Sequence, residues 1–411
     1  MAGLLAGPSR AGERSPLFRY ETEHYSVETD TNEKFAEAVG RHMEAIYGEY
    51  ASRFHDYGKV AVHFNVAVYN TEAGYWNRVP VEVRGSTGVF ISAQRLLAAH
   101  CDGRTGEEVL RTLYHEGFHQ FMYLVISQQC PIWLNEGLAE YFSEATWNGG
   151  GFTTGLVPTM RLFVVQQALR DGTYIHLSDL FSLKPEQWLQ NVRTDKRRAS
   201  LHYAEAWSVA QFLIRADGGR YAPLLDKFLQ SIHSGRDERE AFRESFGSDV
   251  TAFEQVWAAY VMSLEPSPEF RCRDNLEAIL LLAQMVYGDP RKFSSIENLR
   301  WELLFRPRYS WQITRPNGEK ITSDMRSEVA AIFRCPFDRS GGISYIVITN
   351  LDTGLPVVVC SHHAGVIIKA YYNPSGNGLQ PVVEEQAREL VSPDMWGAIE
   401  EATARSGARG R

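Results

Sequence analysis

The chain has 411 residues, 44% of them hydrophobic and 12% aromatic, which is enough for two domains with packed cores. Its 42 Lys and Arg against 50 Asp and Glu give a net charge of −8, and no basic run is interleaved with aromatic residues. This balance is unlike that of nucleic-acid-binding proteins, so we expect no nucleic-acid partner. No apolar run reaches the roughly 18 residues that span a bilayer, so we predict no transmembrane segment.

The number and spacing of the cysteines and the first residues of the chain bear on the cellular compartment of the protein. The cysteines are few, odd in number and never spaced as Cys-x-x-Cys, which disfavours a disulfide framework and a thiolate zinc site. We expect buried free thiols at Cys101, Cys130, Cys272, Cys335 and Cys360. Residues 1–11 lack the long apolar core of a complete signal peptide. We therefore expect a cytoplasmic protein, with export as the alternative if these residues are the remainder of a signal peptide. The sequence does not indicate an oligomeric state.

The first part of the chain alternates between strand and helix patterns. Residues 1–18 are rich in Gly, Ala, Ser and Arg and are predicted to be a disordered tail. The elements predicted after this tail are a strand at His24–Thr29, a helix from a cap at Asp30 to about Phe54, and strands at Lys59–Tyr69 and Gly88–Ser92. Together they predict a small α/β lobe over residues 19–104.

The pattern His115-Glu116-Gly117-Phe118-His119 carries the strongest functional signal. A capping box at Thr105 and Glu108, followed by an apolar-periodic run, places this pattern in the middle of a helix. Residues four apart lie on one helix face, so His115 and His119 can present ring nitrogens to one tetrahedral cation. Glu116 projects from a neighbouring strip, which suits a base that acts on water without becoming a ligand. The pattern therefore predicts zinc at His115 and His119, with Glu116 as the catalytic base.

A second helix is predicted shortly afterwards, over Trp133–Phe142, and Pro131 opens it. This helix returns carboxylates to the first one after a turn of only a few residues. Glu136 is the natural third ligand, with Glu140 and Glu144 as alternatives one and two turns further along. Three protein ligands leave the open position that is typical of catalytic rather than structural zinc.

At His115, Glu116, His119 and Glu136 the sequence resembles the gluzincin peptidases, the clan of thermolysin and of aminopeptidases with a catalytic His-Glu-x-x-His helix. The stretch Asn135-Glu-Gly-Leu-Ala139 resembles bacterial peptidase-MA-like domains of unknown function. The matching motifs cover about forty residues, and weaker similarity extends over about residues 20–260. The resemblance implies an α+β class, with a zincin-like core at residues 19–265 that combines a small mixed-sheet lobe and a mainly helical lobe.

The resemblance also implies roles for individual residues. It favours Glu136 over Glu140 and Glu144 as the third ligand, and Glu140 then suits an acceptor for a ligand imidazole N–H, or else lies on a solvated face. A Tyr or His in the helical lobe donates to the oxyanion in related enzymes. Tyr203 is the candidate, with a packed aromatic as the alternative, and His202 is the substitute if Tyr203 faces inward.

In the same architecture, a strand such as Gly88–Ser92 edges the cleft and pairs with extended substrate. An ordinary internal strand is the alternative for this segment. Both readings stay open from the sequence alone.

The rest of the chain is predicted to be helical as far as about residue 305. The predicted helices are Pro158–Arg170, Leu201–Ile214, Tyr221–Leu229, Glu238–Phe246, Val250–Leu264, Asp274–Tyr287 and Ser294–Phe305. Pro266-Ser-Pro268 marks the end of the helical lobe at residues 105–265. Residues 266–305 are interpreted as a helical connector.

After Phe305 the period of the pattern changes from 3.6 to 2. A hairpin turn at Pro316–Glu319 and strands at Ile343–Ile348, Leu355–Val359 and Val366–Tyr371 predict a small antiparallel β module over residues 306–411. His362 and His363 are adjacent on extended chain and point to opposite faces, so we expect no shared metal there.

The function predicted from these patterns is that of a zinc-dependent peptidase acting on a peptide or protein substrate, with Zn²⁺ held by His115, His119 and Glu136. Glu116 takes the proton of water and returns it to the leaving amine. The alternative is a catalytically silent zincin-like domain that binds peptide or a protein partner. The sequence does not indicate the substrate or the direction of cleavage.

Overall fold

The computed structural model describes residues 17–57, 63–147, 150–305, 310–315, 319–337, 345–360, 366–375, 378–387, 397–399 and 401. The chain divides into two compact units, Met1–Val125 and Ile126–Arg411. The domain boundaries predicted after residues 104 and 265 differ from this division, and they stay predictions. Some predictions lie outside the described residues: the tail up to residue 16, residues 59–62 and 343–344 of two predicted strands, residues 316–318 of the hairpin turn, and His362 and His363.

The first unit is built on a five-stranded mixed sheet. Its strands are β1 (Phe18–Glu21), β2 (Tyr25–Thr29), β3 (Phe64–Tyr69), β4 (Gly88–Ile91) and β5 (Leu96–His100). They lie in the order β1-β2-β3-β5-β4, with β2, β3 and β5 parallel and the two edge strands antiparallel to their neighbours. Three of the five strands were predicted, and β4 is confirmed as an edge strand. No pattern in the sequence predicted β5, the strand between β3 and β4.

Three helices accompany this sheet: α1 (Glu33–Arg53), α2 (Glu72–Trp76) and α3 (Gly106–Phe121). The predicted cap of α1 at Asp30 was wrong. Asn32 caps the helix, because its extended backbone brings its side-chain oxygen to the Phe35 N–H. Asp30 instead accepts a hydrogen bond of 2.6 Å from the Asn70 N–H, which ties the end of β2 to the end of β3.

The second unit is mainly helical. Its helices are α4 (Ile132–Ser143), α5 (Thr159–Asp171), α6 (Leu177–Ser182), α7 (Pro185–Thr194), α8 (Lys196–Arg215), α9 (Ala222–His233), α10 (Glu238–Phe246), α11 (Val250–Ser263), α12 (Pro268–Tyr287), α13 (Ile296–Phe305) and α14 (Arg326–Ile332). All the predicted helices are present, whereas α6, α7 and α14 were not predicted. None of the described helices is both long and apolar enough to cross a membrane.

Helix α8 is the core element of this helical part. Every residue from Ala204 to Ile214 is buried, so this part of the helix is covered on all sides. Helix α4 packs closely against it at Gly137, where an added Cβ would lie 2.3 Å from the Ala206 carbonyl oxygen. Glycine at this position therefore fixes how near the helix that bears Glu136 approaches α8.

We expect Gly137→Ala to lower the free energy of unfolding by about 2–3 kcal/mol, since the contact is with backbone that cannot rotate away. Urea denaturation followed by circular dichroism measures this change. Gly48→Ala is the matched control, because Gly48 is exposed on α1 and an added Cβ there meets nothing within 4 Å. That variant is expected to gain about 0.5–1 kcal/mol from helix propensity. An unchanged denaturation midpoint for Gly137→Ala would contradict the close packing.

The end of the second unit contains the predicted antiparallel sheet. Its strands are β10 (Tyr345–Thr349), β11 (Pro356–Cys360), β12 (Val366–Ser375) and β13 (Gly378–Ala387), paired in chain order. Two short hairpins precede it in the chain, with strands β6 (Thr146–Trp147), β7 (Phe152–Thr153), β8 (Gln312–Thr314) and β9 (Lys320–Thr322). Apolar residues of α12 and α13 share one core with β10, β11 and β12, so the helices predicted as a connector pack with the β module. The α+β class is confirmed.

Candidate metal centre

The helix that carries the predicted metal ligands begins as expected. Thr105 Oγ1 accepts the Glu108 N–H, and Glu108 Oε2 accepts the Thr105 N–H at 2.7 Å, which completes the capping box of α3. A π-helical turn follows at Met122–Ile126. On the inner side of α3, Tyr50 donates a hydrogen bond of 2.6 Å to the Tyr114 carbonyl. The predicted helix is therefore confirmed. Because one face of α3 is buried, its remaining side chains lie on the opposite face.

His115 and His119 lie one turn apart on α3 and are half-buried. Their Nε2 atoms are 3.1 Å apart, and their ring planes are nearly perpendicular at 88°. The structure thus brings the two predicted histidine ligands together through the same nitrogen of each ring. This is the arrangement in which two imidazoles converge on one point in front of a helix.

Glu116 is held by the edge strand of the sheet. Its Oε2 accepts a hydrogen bond of 2.8 Å from the Phe90 N–H of β4. The strand approaches α3 closely at Gly88, where an added Cβ would lie 2.4 Å from Thr112 Cγ2. The sequence did not reveal the role of Phe90, because a backbone donor leaves no side-chain signal. The contact fixes the Glu116 carboxylate beside β4, which is the last strand of this sheet among the described residues.

Glu136 belongs to a group with both histidines. The nitrogens of His115 and His119 and a carboxylate oxygen of Glu136 all lie within 4.8 Å of one another. Among the described residues, Glu23, His24 and Glu44 form a second such group. In that second group the Glu44 carboxylate is bonded to both the backbone N–H and the Nδ1 of His24, at 3.0 and 2.5 Å.

The two alternative third ligands are paired with a cation that the sequence did not single out. Arg161 of α5 forms ion pairs with the Glu140 carboxylate and, through Nε at 2.8 Å, with Glu144. Both carboxylates are almost fully buried. One guanidinium therefore compensates two buried charges, and this pairing disfavours Glu140 and Glu144 as metal ligands. The predicted role of Glu140 towards a ligand imidazole stays a prediction.

The two candidate oxyanion donors differ in their surroundings. Tyr203 is half-buried, and its ring meets Trp188 edge to face at 5.4 Å. His202 is fully buried, with Nε2 3.1 Å from Asn191 Nδ2, and burial lowers its pKa to about 4. His202 therefore stays neutral and enclosed, which disfavours it as the substitute donor. Tyr203 lies one turn before Ala206, the residue whose carbonyl oxygen faces Gly137 of α4.

A buried carboxylate that the sequence analysis missed lies further along α8. Glu205 is fully buried and accepts a hydrogen bond of 2.8 Å from the Ile175 N–H. Burial, and to a smaller extent the charge of Glu254, raise the pKa of Glu205 to about 8. Glu205 therefore carries a proton near neutral pH and lies in the helical core as a neutral carboxyl group.

A family described as a protein of unknown function (DUF1570) matches residues 109–232. This stretch begins in the first turn of α3 and ends in α9, and it includes all the predicted ligands, Glu116 and Tyr203. The match covers less than half of the chain, so the similarity is to that domain. No curated protein and no solved structure matches the chain.

Proposed function

We propose that the chain is a zinc-dependent peptidase of the gluzincin type, with Glu116 as general base and general acid. The observation that carries the proposal is the 3.1 Å separation between Nε2 of His115 and Nε2 of His119. Two nitrogens that each lie about 2.0–2.1 Å from a tetrahedral zinc are about 3.3 Å apart. The histidine pair therefore fits a shared cation without a change of helix geometry.

Glu136 supports the proposal as the third ligand. Its carboxylate lies within 4.8 Å of both imidazole nitrogens, whereas the competing carboxylates of Glu140 and Glu144 are paired with Arg161. Two imidazoles and one carboxylate are a donor set that zinc takes in hydrolytic enzymes. Such a set leaves one position for water or substrate, which favours catalysis over a purely structural site.

A zinc ion bound by these residues would polarise the scissile carbonyl and lower the pKa of water. The protein's own contribution starts with Glu116. Its Oε2 is held by the Phe90 N–H, so the orientation of the carboxylate is fixed and Oε1 is left to take the proton of water. The same oxygen then gives the proton to the leaving amine, which avoids expelling an unstable anion.

Strand β4 is suited to hold an extended peptide. In an extended strand the N–H and C=O of one residue point to the same side, so the Phe90 carbonyl faces away from β5 together with the N–H that binds Glu116. This carbonyl can accept a hydrogen bond from a substrate amide, as in the addition of a strand to a sheet edge. The substrate backbone would then lie beside the base.

The metal assignment predicts about one equivalent of zinc after reconstitution, with Glu136→Gln binding zinc much more weakly. Elemental analysis and competition with a chelator measure this. Glu144→Gln is the matched control, because it changes a buried carboxylate two turns along the same part of the chain and should keep zinc. Less than about a tenth of an equivalent in the wild type, or equal affinity in Glu136→Gln, would refute the ligand set.

Tyr203 is proposed to donate its hydroxyl hydrogen to the oxyanion. Tyr203→Phe is expected to lower kcat by roughly tenfold to a hundredfold with little change in KM, because the bond forms only as charge develops on the oxygen. The variant keeps the ring contact with Trp188. Tyr221→Phe is the control, since its ring packs on Phe212 and it has no proposed part in the reaction. An unchanged kcat in Tyr203→Phe would remove this role.

A further inference from the structure

Three of the five cysteines meet in the core of the β module. Cys272 lies near the start of α12, Cys335 follows α14, and Cys360 is the last residue of β11. Each is at most 3% exposed. The Sγ atoms of Cys335 and Cys360 are 3.3 Å apart, and the Cys272 thiol interacts with both. No spacing in the sequence indicates this cluster, because its members come from three separate elements.

The pair is fixed by a polar network around it. Asn275 Nδ2 donates to the Arg334 carbonyl and to the Tyr345 hydroxyl, and Tyr345 donates to the same carbonyl, with all three distances at 3.2 Å. Arg334 directly precedes Cys335, while Tyr345 pairs with Cys360 across the β10–β11 ladder. The network therefore holds the backbone on both sides of the two sulfurs.

We propose that Cys335 and Cys360 form a disulfide when the chain folds in the presence of a small-molecule disulfide such as oxidised glutathione. The sulfurs need to approach by only about 1.3 Å to reach the bonding distance. Each cysteine thiol gives up one hydrogen, the S–S bond of oxidised glutathione breaks, and two glutathione thiols are released. Both electrons pass from the protein thiols to the glutathione sulfurs, so the exchange is balanced.

Burial of the cysteine sulfurs determines when the exchange with oxidised glutathione can occur. Burial also raises the pKa of the Cys272 thiol well above its ordinary value, so the third cysteine stays protonated and a poor nucleophile in the folded protein. An oxidant in solution does not reach sulfurs at this depth. The cross-link therefore forms during folding or local opening, faster on refolding from denaturant than in the native protein.

Cross-linking is expected to stabilise the unit that contains the sheet. The bond closes a loop of about 25 residues, which restricts the unfolded chain. The thermal midpoint of the oxidised wild type should exceed that of the reduced protein by roughly 5–10 °C. The double variant Cys335→Ala/Cys360→Ala should show no such difference between the two conditions.

The test is to refold the full chain with oxidised glutathione, alkylate the remaining thiols, digest without reductant and map the peptides by mass spectrometry. The expected map has one cross-link, Cys335 to Cys360, with Cys272, Cys101 and Cys130 alkylated. The control variants Cys101→Ala and Cys130→Ala should give the same cross-link. Five alkylated cysteines, or a cross-link through Cys272, Cys101 or Cys130 in the wild type, would overturn the proposal. If the double variant does not fold, the wild-type map decides alone.

Discussion

Glu116→Gln is expected to hydrolyse peptides at least about a hundredfold more slowly than the wild type, because general acid–base help contributes about 10² to 10⁴ in rate. The amide cannot take a proton from water, although its carbonyl oxygen can still accept the Phe90 N–H. Zinc content and thermal unfolding should therefore stay as in the wild type. Initial rates on one cleaved peptide, together with metal analysis of the same sample, measure both effects.

The control for this variant lies on the same helix. Glu107 in the first turn of α3 pairs with Arg111 Nε at 3.0 Å, so Glu107→Gln removes an ion pair between residues four apart. Glu107 is neither a proposed ligand nor the proposed base, so zinc content and activity should not change. A Glu116→Gln variant that cleaves as fast as the wild type would contradict the assignment of the base.

His119→Ala is expected to lose zinc and activity together. Loss of a partner outside the ligands already costs about 10–100-fold in metal affinity, so loss of a ligand should cost more than about a hundredfold. The variant would keep His115 but would lack the His119 Nε2, which lies 3.1 Å from the His115 Nε2 in the wild type. Titration with a metal-sensitive chelator gives the affinity.

The control for His119→Ala is a histidine elsewhere in the first unit. It tests whether the loss of any histidine lowers the affinity for zinc. His55 is exposed and pairs with Asp56 at 3.2 Å, so His55→Ala should keep the affinity of the wild type. Unchanged zinc affinity in His119→Ala would show that the metal, if bound, is held elsewhere.

The elements that the sequence predicted well are those whose signal is local. The capping box of Thr105 and Glu108 and the apolar period after it predicted α3 from the sequence alone. The change of period near residue 306 likewise predicted the antiparallel sheet. Asp30 was wrongly predicted as a helix cap. An aspartate side chain can also accept a hydrogen bond from a loop N–H, and in the structure Asp30 accepts one from Asn70.

The features that the sequence did not reveal depend on contacts between distant residues. Strand β5 lies between β3 and β4 and is almost wholly buried, so its run Leu-Leu-Ala-Ala-His shows no alternation. No rule of sequence spacing predicts the hydrogen bond from the Phe90 N–H to Glu116. The same is true of the Arg161 guanidinium that pairs with two glutamates. The histidine pair could be predicted from the spacing of residues within one helix turn. The N–H that orients Glu116 and the guanidinium that pairs with Glu140 and Glu144 could be found only in the folded structure.

The proposed peptidase activity is tested most directly by incubating the zinc-loaded wild type with a diverse peptide library and identifying new termini by mass spectrometry. The proposal predicts new termini that appear at least about a hundredfold more slowly with Glu116→Gln at equal zinc content. If the wild type binds about one equivalent of zinc but produces no new termini, the peptidase mechanism is refuted and a domain that binds peptide or a protein partner takes its place.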